Sequence, residues 1–282
     1  MLKVIEKHYT LKNVLQQDEV KEYGERLPGT VTAAYGSRRH GTFMFSTDDG
    51  NVFRMELYKA PVRICGLCGP LNSIGMDWND RIIYVENRCI KRSNYDGTDI
   101  HTMAEQHHGE GFHHIGAASI HSNGIIYFTD YKEEKKAAVY FANPISLSVA
   151  SAGVDVIRPT AVCHSADNNF LYIAESEQGY ITKFNILGDG TLKYKRIYCF
   201  LDPDYTETIT GMLVDREDNL FAITAKGIHI YAPGGMLIGV LETDQPCTAT
   251  CFGGMDLKTL YMFCGRTLLS VKLKNDGAEF YN

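Results

Sequence analysis

Four histidines crowd into the eight residues "HHGEGFHH" at 107–114, with two glycines and Glu110 between the pairs. Imidazole changes protonation near neutral pH, so the segment reads first as a proton-transfer or anion-binding element. The same ring nitrogens hold zinc and iron, but two adjacent pairs converge poorly on one ion. A solvated His-rich loop is the third reading. His113 and His114 lie nearest the apolar strand that follows, with Glu110 as an orienting carboxylate. A second cluster, "LDPDYTET" at 201–208, offers Asp202, Asp204, Glu207 and the Tyr205 phenol, against a plain polar turn as the alternative. "CGLC" at 65–68 has redox spacing, yet no strand-to-helix junction is there to activate a thiolate, so a turn with two spare thiols is the better reading.

Several function classes drop out. A net charge of −6 over 282 residues speaks against a phosphate-binding face and hence against nucleic acid as partner. There is no nucleophile elbow, P-loop or dinucleotide fingerprint. No apolar run has the length of a signal peptide or membrane span, and the eight cysteines form no compact disulfide framework. The expectation is a cytoplasmic protein with reduced thiols, no cofactor, a small-molecule substrate and no membrane contact; its oligomeric state cannot be read from the sequence.

The candidate residues need a scaffold, and the sequence repeats one. "TFMFST", "IIYVEN", "IIYFTD", "FLYIAE", "LFAITA" and "LYMFCG" are anchored on Phe43, Tyr84, Tyr127, Tyr172, Phe221 and Tyr261, spaced by 41, 43, 45, 49 and 40 residues. A strand of small residues precedes each anchor and a third strand follows it. Turn punctuation (DDG, YDG, SNG, GDG, APGG) and period-2 alternation exclude helix for most of the chain. Small residues suit an innermost strand, where strands crowd an axis. The pattern predicts an all-β, six-bladed β-propeller over 1–282 as one domain, with inner strands starting near 31, 73, 116, 160, 210 and 249. A strand from residues 1–28 is expected to complete the last blade.

The fourth to sixth units, "RPTAVCHSADNNFLYIAES", "ITGMLVDREDNLFAITAKGIHIYAPGG" and "CTATCFGGMDLKTLYMFCG", resemble the gluconolactonase/regucalcin (senescence marker protein) family. That resemblance implies lactonase or esterase chemistry with a divalent metal at the top of the channel. The family pattern holds it with a Glu on the first inner strand, an Asn on the fourth and an Asp on the fifth. Here those positions carry Val31 or Thr32, Thr160 and Thr210, and Ala249 stands at a frequent Asn of the sixth blade. Neutral hydroxyls bring no charge to repay stripping water from a hard cation, so no metal is expected there. By family register His114 falls near a substrate-contacting Arg.

Three functions follow. The first is a metal-independent enzyme on a small, fairly apolar molecule such as secondary metabolism supplies, working by acid/base chemistry such as cyclisation, isomerisation, elimination or lactone opening. Its catalytic candidates are His114, His113, Tyr205 and Glu110. Thr32, Ser73, Thr160, Thr210, Thr248 and Asp204 are its substrate contacts. The second is a metal lactonase with a changed ligand set, and the third a non-catalytic binding propeller. Arg158, His121 and His164 read as structural, the histidines as satisfied core or rim residues.

Overall fold

The computed structural model describes residues 2–25, 27–120, 124–131, 136–202 and 208–278. Among them there is no α-helix. The strands form six antiparallel sheets of four or five, with one extra hairpin, Gln106–His107 against Glu110–Gly111. The six sheets are the blades of a propeller. Their inner strands are Val31–Ser37, Ser73–Met76, Ile115–Ile120, Ala161–His164, Gly211–Val214 and Cys247–Gly253, within two residues of the starts the repeats predict. Each touches the next around the axis, and the sixth touches the first.

The ring closes through the N-terminal part of the chain. Leu15–Glu25 pairs with Thr267–Leu273 as the outer strand of the sixth blade, with Val20 opposite Val271 and Lys21 opposite Ser270. Leu2–Glu6 goes elsewhere: it adds a fifth strand to the fifth blade, Val4 facing Leu241. At the lower end, Asp215 bridges Gly277, and Ala278 N–H donates to the Val214 carbonyl at 3.0 Å.

Small inner residues are a steric requirement. A Cβ on Gly36 would fall on the Phe252 carbonyl oxygen of the sixth blade, and one on Gly75 would meet Ile120 Cδ1 at 2.7 Å. Outside this ring the anchors fill the seams between blades. Tyr84, Tyr127 and Tyr172 are fully buried, and each phenol is satisfied: Tyr84 with Ser93 Oγ (2.8 Å), Tyr127 to the Gly190 carbonyl (2.8 Å), Tyr172 to Asp218 Oδ2 (2.7 Å). A satisfied hydroxyl lets the aromatic body be buried without stranding a polar atom. Burial pushes the Tyr127 phenol up to about 12. All eight cysteines are free, and no helix is long and apolar enough to cross a membrane.

The outer turns are built from Asp–Thr pairs. Asp96 accepts from Thr98 Oγ1 at 2.6 Å and Thr98 N–H at 3.0 Å, and Asp189 repeats this with Thr191 at 2.6 and 2.9 Å. The Thr hydroxyl bond first, then the backbone bond, hold both carboxyls below the ordinary 3.8.

Two predictions follow from these contacts. Gly36→Ala must part the seam between first and sixth blades, so it should destabilise by about 1–3 kcal/mol. Gly188→Ala, which has open space around it, should change stability by less than about 0.5 kcal/mol; equilibrium urea unfolding of both checks the pair. The depressed Asp96 and Asp189 values contribute stability that is present above 3.8 and lost as pH falls through the lowered folded values. A Thr98→Val/Thr191→Val variant should therefore melt below the parent protein near neutral pH, the gap narrowing as pH drops under 3.8, as calorimetry across that range would record.

Candidate functional site

All six inner strands line one cavity of about 260 Å³ along the propeller axis. Its upper layer is set by irregularities at the strand starts. The first inner strand skips register between Val31 and Ala33, and the sixth between Cys247 and Ala249. The extra residue in each is a threonine that lines the cavity, Thr32 and Thr248. A bulge re-aims a side chain in this way at barrel and propeller rims. Val31, by contrast, is fully buried between blades, so Thr32 is the position facing the axis. Thr160 and Thr210 sit one residue before their strands, each donating its backbone N–H to the second strand, at Ala174 O (2.9 Å) and Ile223 O (2.8 Å). Ser73 opens the second inner strand and lines the same space. The five expected hydroxyl contacts, Thr32, Ser73, Thr160, Thr210 and Thr248, are thus brought together.

Most of these hydroxyls are tied back into their own blades. Thr32 Oγ1 bonds Ser46 Oγ at 2.7 Å and Thr160 Oγ1 bonds Ser176 Oγ at 2.7 Å. Thr210 and Thr248 lean on the Ile223 and Phe263 carbonyls at 3.4 and 3.3 Å. With these hydroxyls engaged inside the blades, the layer they form is uncharged and suited to a largely apolar guest.

The histidine segment is split and stands outside this cavity. His107 and His108 pack against each other with their rings tilted by 53° (centroids 4.1 Å) beside Tyr140 and line a second, outer hollow. Glu110 is exposed on the small hairpin, opposite His107. His113 and His114 sit on the rim, where both backbone N–H groups donate to buried Asp130 Oδ1, at 3.0 and 2.8 Å. His113 Nδ1 lies 3.8 Å from Asp130 Oδ2, and His114 Nδ1 shares a hydrogen bond with Asn87 Oδ1. Asp204, Tyr205, Glu207 and His121 lie outside the described residues. Asp202 reaches Lys7 Nζ at 3.6 Å. Arg158 pairs with Glu177. Cys65 packs its sulfur on Tyr84, and burial raises its thiol; Cys89 is pushed up to about 12 by burial and then by Glu86.

Two groups of residues that matter here escape a motif search. The first braces the mouth: Asp130 holds the rim as above, and fully buried Glu175 accepts the Ile157 N–H at 2.9 Å and pairs with Lys195 at 2.8 Å. Their signal was in the repeat, an acid soon after the anchor tyrosine in "YVEN", "YFTD" and "YIAE". The second lines the inner part of the cavity, where Ser119 Oγ and His164 Nδ1 are 2.7 Å apart and the edge of Tyr127 packs on the imidazole. Nothing in their sequence spacing joins Ser119 to His164.

The family model for the SMP-30/Gluconolactonase/LRE-like region matches residues 45–266. The chain belongs to this family. A gluconolactonase of Zymomonas mobilis is 25% identical over 197 residues, 62% of this chain but only 54% of that relative, so the match spans about half its length. Among solved structures, a gluconolactonase from Xanthomonas campestris superposes with TM-score 0.83 at 20% identity, covering 96% of this chain and 95% of that one. A calcium-binding regucalcin from Agrobacterium tumefaciens gives 0.75 at 12%, covering 92% and 94%. At these identities the superpositions establish the shared fold.

This SMP-30/gluconolactonase-family chain departs from its family at the metal position. Among the described residues the cavity lining contains no Asp or Glu, and no group of three or more His, Cys, Asp or Glu side chains is arranged to hold an ion. Five neutral hydroxyls do not fit Ca²⁺, which takes six to eight oxygens with carboxylates among them. Dialysed protein is therefore expected to retain no stoichiometric Ca²⁺ or Zn²⁺ at Thr160 and Thr210, whereas Thr32→Glu/Thr160→Asn/Thr210→Asp, which reinstates the family donors, should bind about one ion per chain. Elemental analysis reads both; an ion lost from the unaltered chain on Thr160→Ala/Thr210→Ala would contradict the first.

Proposed function

We propose that this chain is a lactonase-type enzyme of secondary metabolism that opens a small, mainly apolar lactone or ester in the channel by side-chain chemistry, without a metal at the family position. The observation that carries the reading is the channel itself: a family-type cavity kept open on all six inner strands, with its mouth rebuilt in threonine and its charge removed. A neutral, methyl-rich mouth favours a guest that loses little hydration on entry. Carbonyl polarisation then falls to O–H and N–H donors, and proton transfer to imidazole. The same groups would serve isomerisation, cyclisation or elimination where no water reaches the bound molecule. His113 and His114 remain candidates outside the cavity, their backbone held by Asp130. Eight free thiols fit a reducing, cytoplasmic setting.

The test is hydrolysis of alkyl- and aryl-substituted lactones by chelator-dialysed protein, with gluconolactone as the polar comparison. Apolar lactones should be preferred, kcat/KM rising by about tenfold or more per useful methylene. Chelator should leave turnover unchanged. Activity that vanishes with chelator and returns with Ca²⁺ or Zn²⁺ would overturn the metal-free reading.

A further inference from the structure

The cavity continues well below the threonine layer. Four residues of strand rise, at roughly 3.3 Å each, put His164 about 13 Å beneath Thr160. At this depth Ser119 is the single polar side chain of the third inner strand and His164 closes the fourth. Both line the cavity, with Ser119 half-buried and His164 only 3% exposed.

We infer that Ser119 and His164 form a nucleophile–base pair in the inner half of the channel, which takes the acyl group of an ester or lactone. The geometry is the first support: the hydroxyl oxygen and the ring nitrogen are 2.7 Å apart, within reach for direct proton transfer. The imidazole is fixed by its burial and by the Tyr127 ring, 5.3 Å away edge-on, so the nitrogen stays aimed at Oγ. Elimination is the second support. Among the described residues the lining carries no carboxylate, lysine or arginine, and His164 is the one imidazole in it. Its other thiol and phenol candidates are poor bases at neutral pH: burial raises both Cys163 and Cys251, and Tyr35 is a phenol. The third is a spare donor. Thr250, 7% exposed and lining the same cavity, has a hydroxyl with no hydrogen-bond partner among the described residues, available to a carbonyl oxygen of the guest.

The step balances without a further reactant. Ser119 Oγ bonds the carbonyl carbon while its proton passes to His164 Nδ1. The ring C–O bond then breaks, and the departing oxygen takes that proton. Water, deprotonated by the same nitrogen, cleaves the acyl-serine and restores the hydroxyl. This rests on the lactonase reading for its natural substrate, but the nucleophile can be tested apart from it.

The probe is an alkyl fluorophosphonate, which loses fluoride when a serine oxygen attacks phosphorus. Intact-mass and peptide analysis should find one adduct per chain, on Ser119. Ser119→Ala should abolish it, and His164→Gln should slow it by about 10²–10⁴-fold. Should His164→Gln fail to fold, Ser119→Ala, which removes one oxygen, still decides. Labelling without turnover of any lactone sustains the pair and sinks the lactonase reading. Turnover that survives Ser119→Ala, an adduct elsewhere, or no adduct at all overturns the pair; loss of turnover on His114→Ala in such a case returns the chemistry to the rim.

Discussion

Six strands cannot approach one axis unless the backbone itself becomes the contact surface. Gly36 against the Phe252 carbonyl is the tightest instance on the inner strands, and Gly75 repeats it against Ile120 of the next blade. Everything else follows from that crowding. It forces small residues onto the inner strands and sends the large anchors, Tyr84, Tyr127 and Tyr172, outward into the seams. The channel is what remains in the middle, lined mostly by small groups such as threonine, serine, alanine and glycine, with a few larger ones, Met76, His164 and Met212 among them.

A mouth built this way must be stiffened from behind. Asp130 and Glu175, both buried, do so by accepting backbone N–H groups of the loops that lead into the third and fourth inner strands. A buried carboxylate is stable only when such donors or a cation satisfy it, and Lys195 completes Glu175. Both acids are thus committed to holding loops. That division of labour fits a neutral channel: charge is kept in the frame, and the guest meets hydroxyls and methyls.

The fold was legible because its signal is redundant. Six copies of anchor strand and turn each restate the register, and one ambiguous copy does not disturb the rest. The site was legible only where it shares that register. Thr32, Thr160, Thr210 and Thr248 fall at equivalent points of the repeat, and the structure groups them. Even there the choice between Val31 and Thr32 needed the bulge, which no spacing announces. "HHGEGFHH" shows the opposite case: its pairs are neighbours in sequence, yet His107 and His108 line the outer hollow from the small hairpin while His113 and His114 are held by Asp130. Ser119 and His164 come from strands 45 residues apart and met only once neighbouring blades packed.

The sixth blade is woven from both halves of the chain's contour: its inner three strands come from residues 247–273, its outer one from 15–25. Tyr23 and Ser270, whose hydroxyls hydrogen-bond across that sheet, are separated by 247 residues. On the ribosome, the early segment must wait through the synthesis of five blades before its partner emerges. Until then an edge of the nascent ring stays unpaired, the circumstance in which strands recruit wrong neighbours. Closing so distant a contact also places this propeller among slow folders by topology alone. The reward is directional: once the early strand docks, no blade can peel away without first opening that seam.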